Sequence, residues 1–209
     1  MKRELPHFEI GTSYGGNQDW FRTFMMCIGG CGAETACDSS VYFALHRGLR
    51  SLYPFDLSPM TREQYVDFAH IMEPYLHPRW SGIDRLDIFV DGYAKYLQDR
   101  GEKRLSMSAF DGSESYENAA RFVKTQIDGG YPIPTLILNH KNRAMKNYVW
   151  HWFLLNGYEL NGDSLLVKAV TYSKYEWLDL RTLWDTGHTK KGGFIRFQID
   201  ACASNGAER

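Results

Sequence analysis

The chain of 209 residues has no apolar run approaching the length of a membrane span, so no transmembrane segment is expected. Lys2 and Arg3 open it, but no apolar stretch of the kind found in a secretory leader follows them. The protein is therefore expected in the cytoplasm unless a leader has been removed. Charge of either sign is not in excess: 24 Lys and Arg against 25 Asp and Glu leave a formal net charge of -1. Such a balance gives nucleic acid or an anionic membrane surface nothing to hold, so neither is expected as a partner. Cysteine is sparse. Four residues do not make a disulfide scaffold, and Cys27, Cys31 and Cys37 form no CxxC pair of the kind a structural zinc site uses. No metal and no cofactor is expected. Internal repeats and low-complexity segments are missing too, and the length fits one domain over 1–209.

Aromatic side chains are plentiful at 15% of the chain, enough to fill a core and still line a groove. The most informative stretch is Met26-Cys27-Ile28-Gly29-Gly30-Cys31-Gly32-Ala33-Glu34. Ala33, Ala36, Cys37, Ser40, Val41, Ala44 and Leu45 then recur at helical spacing, with His46 and Arg47 in the last turn and Gly48 as the stop. Cys31 falls in the first turn. Gly29 and Gly30 are expected to supply backbone angles other residues resist, and Glu34 a favourable charge beside the positive end of the helix. A cysteine there is expected to have a lowered thiol pKa, which is half of a thiolate nucleophile. The other half is a histidine from elsewhere. Most free cysteines are small buried hydrophobes, and Cys27, Cys37 and Cys202 are read that way.

Residues 1–20 read as a short extended piece and a loop, with Gln18 as a loop amide. Helices are expected from overlapping starts at Ser58-Pro59 and Thr61-Arg62-Glu63-Gln64, the latter a capping box, and over 83–98 and 113–127. The period then changes. Strands are expected at 105–110, 133–138, 148–158, 164–172 and 193–199, with a hairpin at Asn161-Gly162 and one helical turn at 180–184. Helices first and an antiparallel sheet last make an α+β domain, with a helical half over about 20–128 and a sheet half over about 131–200. The two halves are expected to face each other across a cleft. The polar tail from Ser204 is expected to fray.

Among the histidines, His151 stands inside a strand between Trp150 and Trp152, where a polar ring is unexpected. Alternation places it with Val149, Phe153 and Leu155, and both tryptophans on the other face. It is either a core histidine satisfied by a carbonyl or a general base facing Cys31. His140 lies in a polar loop, His188 lies beside Lys190 and Lys191, and His46 is several turns along the helix from Cys31.

These pieces resemble the papain-like cysteine peptidase superfamily, most closely its bacterial C39-like peptidase branch. The resemblance rests on Gln18, on Cys31-Gly32-Ala33 opening a helix, on Gly130-Tyr131-Pro132-Ile133-Pro134 before a strand, and on His151-Trp152 running to Gly157-Tyr158. It implies a papain-like α+β fold and a thiol protease or amidase acting on a peptide or amide substrate. Cys31 would be the nucleophile, His151 the base and then the acid, and Gln18 part of the oxyanion hole. Transfer to an amine, as in a transpeptidase, would use the same residues. The family usually has an Asp or Asn on the strand after the histidine. Here 167–173 holds neither; Thr171 lies nearest that position and Ser173 is a second candidate, while Asp163 and Asp179 flank the strand. That departure leaves open a working dyad, a rearranged triad, or an inactive papain-like fold that binds or supports a partner.

Overall fold

The computed structural model describes residues 1–79 and 82–200; Cys202 and the tail lie outside the described residues. The first half is helical: α1 (Phe24–Gly29), α2 (Cys31–His46), α3 (Arg62–Met72), α4 (Leu86–Asp99) and α5 (Tyr116–Asp128). Strand β1 (Lys2–Glu4) and the small pair β2 (Glu9–Ile10) and β3 (Ser13–Tyr14) precede them, and β4 (Leu105–Asp111) falls between α4 and α5. The second half holds β5 (Ile133–Ile137), β6 (His151–Asn161), β7 (Ser164–Thr171), β8 (Lys174–Asp179), α6 (Leu180–Trp184) and β9 (Gly192–Ile199). The main sheet has seven strands in the order β4-β9-β5-β6-β7-β8, with β1 pairing to β6, and every pairing in it is antiparallel. The molecule is thus an α+β fold with an antiparallel sheet.

Local chemistry accounts for most of these limits. Thr61 Oγ1 accepts from Gln64 N–H at 3.2 Å while Gln64 Oε1 accepts from Thr61 N–H at 3.2 Å, so the capping box starts α3. Ser58-Pro59 does not start it; that dipeptide stands outside the helix. Ser115 caps α5 through Asn118 N–H. The Asn161-Gly162 turn joins β6 to β7, with Gly162 at φ +59°, and Gly48 follows α2 at φ +69°. Some elements carried too weak a pattern to be read from sequence. The turn of α1 is only six residues long, β2 and β3 two each, and β8 shows no apolar alternation because its residues are exposed or half-buried.

Helix α2 is the centre of the core. It is buried from Cys31 through Ala44, which no surface helix would be, and it packs on β6. Tryptophan 152 stacks on Phe89 with ring centroids 4.5 Å apart and donates its Nε1–H to Ile83 O at 2.6 Å, tying the sheet to the segment before α4. Phe43 and Tyr93 meet Phe197 edge-on from the helical side. Burial of this cluster is what joins the halves.

Candidate active site

Cys31 is the first residue of α2, and the junction that puts it there is unusually tight. Gly30 is both the last cap of α1 and the N-cap of α2. Its N–H donates to Met26 O at 2.9 Å and its carbonyl accepts Glu34 N–H at 2.8 Å. Any Cβ at position 30 would collide with the Met26 carbonyl and press on Phe21. The backbone angles there, φ -84° and ψ 6°, suit an ordinary residue. The expectation that Gly29 and Gly30 supply unusual angles is therefore corrected: neither has a positive φ, and glycine at 30 serves close approach.

His151 opens β6 and is buried, with 5% of its surface exposed. Its Nε2 lies 2.7 Å from Thr171 Oγ1 at the end of β7. Its ring lies flat against Tyr172, with centroids 5.0 Å apart and planes 5° from parallel. Gln18, Cys31, His151, Thr171 and Tyr172 all line one cleft of about 460 Å³. Trp150 stands at its edge, half-exposed at φ +56°, so it precedes the strand and does not alternate with the buried Trp152; the expected shared face of the two tryptophans is corrected accordingly.

Of the two hydroxyls expected near the imidazole, Thr171 is thus the one on the His151 ring. Ser173 is not: its Oγ donates to Gly16 O at 3.2 Å and its N–H to the same oxygen at 2.9 Å. Tyr172 and Ser173 form a two-residue turn between β7 and β8 with φ +50° and +60°, a conformation that favours Asn-Gly. The Gly16 bonds hold the turn, and the turn holds Tyr172 over His151. Asp179 caps α6 through Thr182 N–H at 2.7 Å, away from the imidazole. His140 is no rival: its Nδ1 accepts from Asn142 N–H and its Nε2 bonds Thr182 O.

Gln18 is buried, not a solvated loop amide. It sits in a short 3-10 turn (Gln18–Trp20), and its Nε2 donates to Cys27 O at 2.8 Å. One of its two amide N–H groups is therefore committed to α1, and only the other is left for the cleft.

The electrostatics correct two expectations. The Cys31 thiol is pushed up to about 11, not down, because burial outweighs the Trp152 and Gly32 backbone N–H groups, and the nearby Glu34 carboxyl adds to the rise. Burial also pushes His151 down to about 4. Both shifts favour a thiol and a neutral imidazole at neutral pH over a thiolate–imidazolium couple. Glu34 is not a plain favourable charge at the helix end either: burial first, then Asp38, pushes its carboxyl well above the usual range. Asp38 one turn on is pushed up to about 7 by burial, while accepting from Tyr65 Oη at 2.5 Å and from Gly16 N–H. Buried acids at 34 and 38 in a helix otherwise lined with Ala, Ser and Cys were the available signal for this second layer.

A larger hollow of about 640 Å³ lies over Leu86, Leu136 and Leu138, rimmed by Asp84, Asp87 and Lys190. A narrow pocket shares Cys31 and Trp150 with the first cleft, and Asp84, Leu136 and Leu138 with the hollow. Among the described residues no cluster of His, Cys, Asp and Glu is arranged to hold a metal ion, and no helix is long and apolar enough to cross a membrane. The chain matches no protein-family model, no curated protein and no solved structure in the comparisons made.

Proposed function

We propose that the chain is a papain-like, thiol-dependent hydrolase of peptide or amide bonds. The observation that carries this reading is one cleft lined by a cysteine at the first residue of a buried helix and by a histidine held at Nε2 from behind. Bonding to Thr171 leaves Nδ1 as the nitrogen for the cleft. Because the resting pair is neutral, proton transfer accompanies attack: His151 Nδ1 takes the Cys31 proton as Sγ bonds to the substrate carbonyl carbon. The Cys31 N–H at the helix start and the free Gln18 N–H would receive the oxyanion. Collapse breaks the C–N bond, and His151 returns its proton to the departing amine. Water then attacks the thioester with His151 as base, releasing the acid and restoring the thiol. An amine in place of that water would make the enzyme a transpeptidase with the same groups.

Substrate would reach Cys31 along the cleft, with the hollow beyond Trp150 available to a chain extending past the reacting carbonyl. A base pushed down to about 4 stays unprotonated across mild acid, so hydrolysis should hold its rate down to roughly that pH and fall below it. The test is a peptide and amide library assayed with the wild type, Cys31→Ala and His151→Ala. Turnover in the wild type and its loss in both variants supports the reading; turnover surviving Cys31→Ala overturns it.

A second reading has its own support. The raised thiol and the hydroxyl in place of an acid at 171 also suit a papain-like fold that binds without cleaving. In that case the library stays intact in every sample while wild-type protein still retains a peptide that Trp150→Ala does not.

A further inference from the structure

Two buried oxygens beneath the cleft have no hydrogen-bond donor among the described residues: Gln18 Oε1 and Glu34 Oε2. The Gln18 amide cannot be turned to relieve its oxygen, because Cys27 O requires the Nε2–H where it stands. The Gln18 and Tyr172 backbone N–H groups lie near the Glu34 carboxyl and favour its charged form, against the larger effect of burial. Both orphan atoms accept only, so neither satisfies the other while Glu34 is a carboxylate. Buried acceptors left without a donor are costly, and the Gln18 backbone places both atoms in one neighbourhood. A single proton removes the conflict.

We propose that Glu34 is held as a neutral carboxylic acid that donates its Oε2–H to Gln18 Oε1, and so fixes the amide with its second N–H toward Cys31. Glu34 is then a positioning residue, acting through Gln18, and the inference rests on the hydrolase reading for its use though not for its chemistry. The surroundings favour the neutral form. Asp38 lies one turn along the same helix; Asp19 follows Gln18; Tyr65 donates to Asp38; and the Cys31, Cys37 and Tyr172 groups bring no positive charge. His7, half-buried beside Gly15 and Asp38, is itself pushed down to about 3 and stays neutral. The same acid reaches the Tyr172 turn, so one carboxyl braces both the amide beside Cys31 and the ring over His151.

The test uses infrared difference spectra of the whole protein, wild type minus Glu34→Gln and wild type minus Glu34→Leu, at neutral pH. A protonated carboxyl C=O band assigned to Glu34 in both differences, moved to higher wavenumber when Gln18→Leu removes its acceptor, is the expected result. A carboxylate band in its place, or a protonated band indifferent to Gln18→Leu in a sample folded by circular dichroism, overturns the inference. Catalysis gives a second readout. Gln at 34 still offers an N–H to Gln18 Oε1 and should keep the wild-type rate within a few-fold, whereas Leu offers none and should lose ten-fold or more in kcat with KM little changed. Equal losses in the two variants, both folded by circular dichroism, also overturn it. The band survives a failure of the hydrolase reading, so the two outcomes are separable.

Discussion

Cys31 and His151 show how burial outranks a helix dipole. The field at a helix N-terminus is worth at most about 2 kcal/mol, whereas removing a thiolate from water costs more than that. The consequence is measurable as alkylation. Iodoacetamide should modify Cys31 slowly at neutral pH, with a rate that climbs as pH rises toward about 11, instead of the flat profile of a preformed thiolate; mass spectrometry of the Cys31 peptide gives the rate. Thr171 matters at the same scale. A carboxylate or carboxamide oxygen only accepts, so it would select the imidazole tautomer with the proton on Nε2. A hydroxyl both donates and accepts, and leaves both tautomers open. Thr171→Asp should raise the His151 pKa above about 4, read from its ring proton shifts, because a negative charge then faces Nε2. Thr171→Val should cost about 1–3 kcal/mol in chemical denaturation by leaving that nitrogen unpartnered in a buried place.

At the scale of elements, the site depends on two junctions more than on any helix or strand. The first is the α1–α2 join at Gly30. Ala at this position must displace the Met26 carbonyl or the Phe21 ring, since its Cβ has no room. Gly30→Ala should therefore destabilise the fold by about 1–3 kcal/mol, the usual cost of overpacking, even though alanine is the better helix former. Equilibrium unfolding checks it, and an unchanged midpoint would contradict the close-packing account. The second junction is the Tyr172-Ser173 turn, where two non-glycine residues sit at positive φ. Strain of this kind persists where the surroundings over-determine it. Here Gly16 O binds Ser173 twice, and Tyr14 N–H donates to Ser173 O at 3.1 Å.

The whole molecule carries desolvated histidine rings and buried acids whose pH effects oppose each other. His7 and His151 are pushed down to about 3 and about 4 by burial, so the unfolded chain binds protons at these sites first as pH falls below the ordinary histidine range; their stabilisation is present above that range and is lost on acidification. Asp38 is pushed up to about 7, and Glu34 is also raised. For them the folded state holds the proton longer, so their contribution is full below the ordinary carboxylate range and is lost as pH rises. Between about pH 4 and 6.5 the two trends offset. Stability should be nearly flat there and decline between about pH 6.5 and 7, where the histidines no longer titrate and Asp38 still does. Asp38→Asn should unbalance the offset and make stability rise more steeply with pH between about 4 and 6.5, with urea midpoints taken across the pH range as the measure.

Sequence by itself determined the elements whose pattern is local. The α2 helix from Cys31 to His46, the Thr61–Gln64 capping box, the Asn161-Gly162 hairpin and the order of helices before antiparallel strands all rest on neighbours a few residues apart. It also singled out Gln18, Cys31, His151 and Thr171, which the fold brings to one cleft across as many as 153 positions. Tertiary structure decided what those groups are. Whether a thiol ionises, a glutamate keeps its proton or a glycine is needed depends on how much water and which atoms surround it, and that is settled by contacts between distant segments. So Cys31 became a buried thiol, Glu34 an acid under the cleft, Ser173 a brace on Gly16 and Gly30 a close-packed joint, none of which is written in the spacing of nearby residues.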